Sequence, residues 1–232
     1  MKSLPPQIAI DGPVASGKTV VGRILAQRLG YRFLDTGLMY RAITWLALKE
    51  GVPLEGAPLT ELARKACIRV AGEGGTSASS VEPGNSRIIV NGVDVTDELR
   101  SPAVEGAVSV VSAAAGLREV MVEHQRAIAR EGAIVMVGRD IGTVVLPDAG
   151  LKVFLRASVA ERASRRYREL REMGKETSYK AILDNLEERD ALDSQRAHAP
   201  LQPAEDARIL DTDGIGVGEV VERVLAMVDG TG

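Results

Sequence analysis

Gly12-Pro13-Val14-Ala15-Ser16-Gly17-Lys18-Thr19 fits the template G-x-x-x-x-G-K-[ST] at every fixed position. Its setting fits too. Ile8-Ala9-Ile10 before it reads as a short buried strand. Val20 to Leu29 after it reads as an amphipathic helix, with Val21, Ile24, Leu25 and Leu29 at helical spacing. Glycines let the backbone turn tightly around an anion, with N–H groups aimed inward. The helix N-terminus adds a favourable field for phosphate. Lys18 then reaches the β- and γ-phosphates of a nucleoside triphosphate, and Thr19 holds Mg²⁺. An ordinary strand-to-helix turn has no need of the full set of fixed positions.

The chain has 232 residues and a formal net charge of −3, enough for one sizeable α/β core with inserts. Aromatic residues make up only 3%, which argues against a stacking platform for bases. Mild acidity argues against non-specific nucleic-acid binding. No apolar run approaches membrane-spanning length, and Met1 to Pro6 lacks the apolar region of a signal peptide. Neither a nucleic-acid nor a membrane partner is therefore expected, and nothing suggests an obligate protein partner, so a monomer is expected. A single cysteine, Cys67, excludes a disulfide framework within the chain and points to a reduced, cytoplasmic setting. It sits in an apolar run and is expected to fill core. His124 and His198 are isolated, and no metal or catalytic role is expected for either.

Tyr31 to Leu34 reads as a second strand, ending in Asp35-Thr36-Gly37. Thr36 has the chemistry of a helix N-cap. A strong helical pattern runs from Leu38 to Leu48 and closes at Gly51, with Tyr40 and Trp45 expected in packing. Arg41 is less comfortable there, because an always-charged guanidinium in an apolar helix wants a carboxylate or a phosphate. A loop and short helix follow over 52–66. Arg87 to Val95 holds an Asn91-Gly92 turn between two β-rich pieces, a hairpin signal. This breaks the βα alternation and predicts a small antiparallel insert, with a flexible linker at 72–80. Ala133 to Val137 is a continuous apolar run, as a doubly covered parallel strand should be. It ends in Gly138-Arg139-Asp140-Ile141-Gly142-Thr143, where open α/β sheets bind ligands. Leu151 to Leu155 is the next strand. An arginine-rich helix follows, with Arg162, Arg165 and Arg166 as helical neighbours, then a second charged helix from Ser178 to Ser194. Joined at Gly174, the two look like a mobile lid. A last strand at 207–211 and a last helix at 217–228 complete an α/β pattern.

Phosphoryl transfer needs a neutralised triphosphate, an aligned acceptor and excluded water. An anionic acceptor needs its own arginines, and a lid needs cations for the transferring group. Arg41 and Arg139 on the core and the arginines of 156–171 supply both. That fits a kinase of a small phosphorylated acceptor better than a GTPase switch, whose Asn-Lys-x-Asp motif is absent.

The chain resembles the bacterial cytidylate kinases over nearly its whole length. The resemblance is carried by Ile10-Asp11-Gly12-Pro13…Gly17-Lys18-Thr19, Leu34 to Arg41, Val95 to Arg100, Ser109 to Ala113, Leu117-Arg118-Glu119…Gln125-Arg126, Gly138 to Val145, and Glu188-Arg189-Asp190…Asp193-Ser194…Arg196. The resemblance implies a P-loop five-stranded parallel sheet with helices on both faces, comprising 1–51, 116–155 and 197–232. It further implies an α+β monophosphate-binding insert at 52–115 and a helical lid at 156–196. ATP with Mg²⁺ would bind Gly12 to Thr19. Thr36, Arg41 and Arg139 would hold the phosphate of CMP or dCMP. Ser109, Arg118 and Asp140 would surround the cytosine, Arg189 and Asp193 would meet the ribose, and Arg196 would sit between acceptor and transferring phosphate. Lys18, Arg139 and Arg196 would be catalytic, joined by Arg165 and Arg166 from helix phase. The chemistry agrees: Asp140 can accept from the exocyclic amine of cytosine, which uracil lacks. Thr36 stands where many relatives carry serine, and both supply a hydroxyl. Val14 and Leu38 also depart from the usual pattern. Two rivals are a shikimate-type small-substrate kinase and a nucleotide-dependent switch without kinase activity.

Overall fold

The computed structural model describes residues 4–71, 87–196 and 199–230. In chain order the elements begin β1 (Gln7–Asp11), α1 (Lys18–Leu29), β2 (Arg32–Asp35), α2 (Thr36–Glu50) and α3 (Gly56–Lys65). Then come β3 (Ile68–Ala71), β4 (Arg87–Val90), β5 (Val93–Asp94), α4 (Pro102–Ala113) and α5 (Ala115–Ala129). The remainder is β6 (Ile134–Gly138), β7 (Leu151–Arg156), α6 (Val159–Glu172), α7 (Tyr179–Ser194), β8 (Arg208–Asp211) and α8 (Val217–Asp229). The expected α/β class with a five-stranded sheet is present, in the order β2-β6-β1-β7-β8. By its contacts the chain divides into two compact units, 1–29 with 135–232, and 30–134.

In the first unit, β1 pairs in parallel with β7, Ile8 opposite Leu151, and β7 with β8, Val153 opposite Arg208. Ile8, Ala9 and Ile10 are fully buried, as are Val135 to Val137 of β6. Both strands are continuous apolar runs because both faces are covered. Their carboxyl ends therefore carry the polar loops, Gly12 to Gly17 after β1 and Arg139-Asp140 after β6. Helix α1 packs on α8. Helices α6 and α7 pack around Ala163, Ile182 and Leu186, with Val14 and Ala15 of the glycine-rich loop against that cluster.

In the second unit, α2 packs on α4 and α3 on α5. The strands β3, β4 and β5 form an antiparallel sheet, with the expected hairpin between β4 and β5. Asn91 and Gly92 both have positive φ, 50° and 84°, the conformation of a type I′ turn. Two expectations are corrected. Cys67 is exposed rather than core. Just ahead of a half-covered strand, it shares the outward side with Arg69, two residues on. The cap of α2 is Asp35, whose carboxylate accepts from Gly37 N at 2.9 Å. Thr36 is the first helical residue and is buried. The linker expected at 72–80 and His198 lie outside the described residues.

Candidate active site

Asp11 ends β1 and Gly12 turns the chain. Gly12 has φ 153°, and a Cβ there would lie 2.4 Å from Leu155 O, so no side chain fits. Ala15 takes a left-handed φ of 59°, which costs a non-glycine residue about 1–2 kcal/mol. Left-handed residues of this kind turn successive N–H groups into an anion-holding concavity. Lys18 is 8% exposed, and its Nζ donates to Pro13 O at 2.7 Å. The Ser16 hydroxyl is buried with no hydrogen-bond partner among the described residues. An orphaned donor is costly, and a phosphate oxygen would satisfy it. The loop opens on a cleft of about 870 Å³, lined by Lys18, Thr19, Arg165, Arg166, Thr212 and Gly216 among others. That is the size of a small-ligand site.

The arginine-rich helix divides its cations between two tasks. Arg165 bonds Glu161 Oε1 at 2.8 Å and Thr212, through its hydroxyl at 3.3 Å and its carbonyl. Arg166 pairs with Glu169 at 2.8 Å. Both line the cleft beside Lys18. Arg162 shares their helical phase but is buried, its side chain 3% exposed. It donates to Ala157 O at 3.1 Å, to Val14 O at 3.1 Å, and to both carboxylate oxygens of Asp190 on α7. One guanidinium thus ties α6, α7 and the glycine-rich loop together. Arg162→Ala should destabilise the fold by about 2–4 kcal/mol, because it orphans two carbonyls and leaves the Asp190 charge half-buried and unpaired. Denaturant unfolding checks this; a change under about 1 kcal/mol would show that the tie carries no load.

Past β6, Arg139 Nε donates to Asp193, and so does Arg196 Nη2. Asp193 is 4% exposed. Burial pushes its carboxyl up, but the charges of Arg139, Arg196 and Arg189 outweigh this and hold it below the ordinary carboxylate range. The pairing therefore stabilises the fold at neutral pH, and that contribution is lost as pH falls through the depressed pKa. Asp140 is 5% exposed at the head of a π-helical turn over 141–145. The first unit thus brings Arg139, Arg189, Asp193 and Arg196 into one charged cluster.

The second unit brings together another set. Arg118 is 5% exposed on α5, donates to Ser112 O at 3.0 Å and lies over the Tyr40 ring at 5.5 Å. Ser112 Oγ in turn donates to Ser109 O at 3.2 Å. Arg41, on α2 beside Tyr40, donates to Glu105 at 3.2 Å and Leu99 O at 3.3 Å. The carboxylate its sequence context asked for is therefore Glu105. Thr36 opens the same helix, 4% exposed. Sequence reasoning assigned no role to Asp11, Arg162, Asp190 or Glu105. Asp11 and Asp190 lie inside quoted motifs; Arg162 was indistinguishable from Arg165 and Arg166 by phase alone.

An α/β sheet with a phosphate-type loop after its first strand, a cleft beside that loop and arginines on the covering helices is the architecture of a P-loop phosphotransferase. The cytidylate kinase family model matches residues 8–230. A cytidylate kinase of Bacillus velezensis is 44% identical over 223 residues, 96% of each chain. A bifunctional pantoate ligase/cytidylate kinase of Synechococcus is 47% identical, matching 96% of this chain and 40% of that longer protein. The chain belongs to the cytidylate kinase family and is a kinase. Among solved structures, a protein of Eubacterium ventriosum shares the fold, with a TM-score of 0.50 and 12% identity over 96% of this chain and 98% of its own.

Proposed function

We propose that the protein transfers the γ-phosphoryl group of ATP to CMP or dCMP, giving the diphosphate and ADP. The observation that carries this is the family match across residues 8–230, which takes in the glycine-rich loop and both arginine sets. ATP lies along Gly12 to Thr19, with Lys18 on the β- and γ-phosphates. Thr19, at the head of α1 and on the cleft, suits Mg²⁺ as one hard oxygen donor. No cluster of three or more His, Cys, Asp or Glu able to hold a metal occurs among the described residues. Mg²⁺ would neutralise charge on the phosphates.

In this reading Thr36, Arg41 and Arg139 take the acceptor phosphate. Ser109, Arg118 and Asp140 take the cytosine, and Arg189 and Asp193 the ribose. Arg196, Arg165 and Arg166 serve the transferring group. Residues 52–115 act as the monophosphate-binding insert and 156–196 as the lid, on a core of the remainder. Glu105 and Asp193 then act as place-holders that give up their arginines to phosphate. We further propose a monomer working in the cytoplasm. No helix among the described residues is long and apolar enough to cross a membrane.

Radiolabelled ATP with CMP tests the reaction: label should appear in CDP. Label only in inorganic phosphate would favour the nucleotide switch. Asp140→Ala should lower the preference for CMP over UMP about ten- to a hundredfold, because the cytosine amine loses its acceptor, while ATP binding persists. Specificity constants for the two acceptors check this, and an unchanged ratio would mean the base is read elsewhere.

A further inference from the structure

Asp11 stands one residue before the glycine-rich loop and is 4% exposed. Its Oδ1 accepts from Ile141 N at 2.8 Å and its Oδ2 from Gly142 N at 2.7 Å. Those amides directly follow Arg139 and Asp140. The turn they open is a single wide, π-type turn: Asp140 O accepts from Val144 N at 2.8 Å and Val145 N at 3.1 Å, and Ile141 O from Leu146 N at 2.7 Å. Gly142 completes the fit, since a Cβ there would lie 3.2 Å from Lys152 Cδ and 3.4 Å from Asp11 Oδ2. One carboxylate thus joins the strand that delivers the glycine-rich loop to the backbone that delivers Arg139 and Asp140. A buried charge at a strand end is costly unless hydrogen bonds offset it, and these two amides are the donors that do so.

We propose that Asp11 is a positioning residue for the acceptor, fixing the Arg139–Asp140 backbone so that its loss weakens and blurs CMP binding before it affects ATP. This rests on the reading of Arg139 and Asp140 as acceptor residues.

Burial pushes the Asp11 carboxyl up to about 6; the Ile141 and Gly142 amides and Lys18 pull against it, and the Asp140 charge adds to it. The charged groups around it are Lys18 on α1, Asp140 at the turn, and Lys152 on β7, whose amine is held by Asp206 at 2.8 Å. The carboxylate, with both oxygens free to accept, is present above that pKa. Protonation below it turns one oxygen into a donor facing an amide.

The test is Asp11→Asn, whose amide keeps a single acceptor oxygen. At neutral pH the KM for CMP should rise about tenfold or more and the CMP-over-UMP ratio should fall by a similar factor. The dissociation constant for ATP should stay within about twofold. In the unmutated protein the same ratio should fall as pH drops through about 6. The phosphate shared by the two acceptors cancels, and the profile should be flat in Asp11→Asn. Unchanged CMP constants in Asp11→Asn, or equal losses of CMP and ATP binding, would overturn the proposal. If the variant does not fold, a ratio that stays flat in the unmutated protein between about pH 5 and about pH 8 overturns it. Arg139→Ala and Asp140→Ala run alongside. If neither changes CMP kinetics, the acceptor reading fails and Asp11 falls with it. If both do and Asp11→Asn does not, only the Asp11 proposal fails.

Discussion

Lys18→Ala should lower kcat by about a hundred- to a thousandfold while leaving the protein folded. Lys18 is 8% exposed, and its amine donates to Pro13 O at 2.7 Å. That carbonyl belongs to the loop itself, so the lysine is held at the mouth of the phosphate-holding turn. In the proposed reading the amine exchanges that neutral acceptor for phosphate oxygens, whose charge shifts in the transition state. In a largely desolvated site that difference is worth about 3–4 kcal/mol. The hydrogen bond to the loop carbonyl is itself worth only about 1 kcal/mol. Steady-state kinetics beside a thermal melt separate the two effects. A kcat within about threefold of the unmutated value would remove Lys18 from the chemistry.

Arg139→Ala should cost tens- to thousands-fold in kcat/KM for CMP, on the order of 2–4 kcal/mol. Arg139 sits 21% exposed against Asp193, which is more buried. In the proposed reading its removal takes a cation from the acceptor, and the cluster of Asp193 with Arg196 and Arg189 attracts a phosphate less strongly. The loss should appear with CMP and be nearly absent from ATP binding. Comparison of CMP kinetics with the ATP dissociation constant reads this directly. Near-normal kinetics would withdraw the assignment, and equal losses in both would mark Arg139 as part of the general fold.

What the sequence disclosed divides along a physical line. The strand, loop and helix over 7–29 were legible because strand burial, glycine geometry and helical phase are local properties, and the hairpin at Asn91-Gly92 was legible for the same reason. Arg41 was half legible: its need for an anion followed from its setting, but Glu105, 64 residues away, is a matter of helix packing. Arg162 looked like one of three arginines on a charged face, and only its pairing with Asp190, 28 residues on, separates it from its neighbours. Asp11 lay inside a recognised motif, yet its partners are backbone amides 130 and 131 residues later, which no spacing rule finds. Cys67 misled because an apolar run says nothing about which side of a half-covered strand meets solvent.

The function turns on which acceptor receives the phosphoryl group. The direct measurement is ADP release with ATP as donor and CMP, dCMP, UMP and AMP offered in turn to the purified protein. CMP and dCMP should turn over with the highest kcat/KM. Faster turnover of UMP or AMP than of CMP would contradict it.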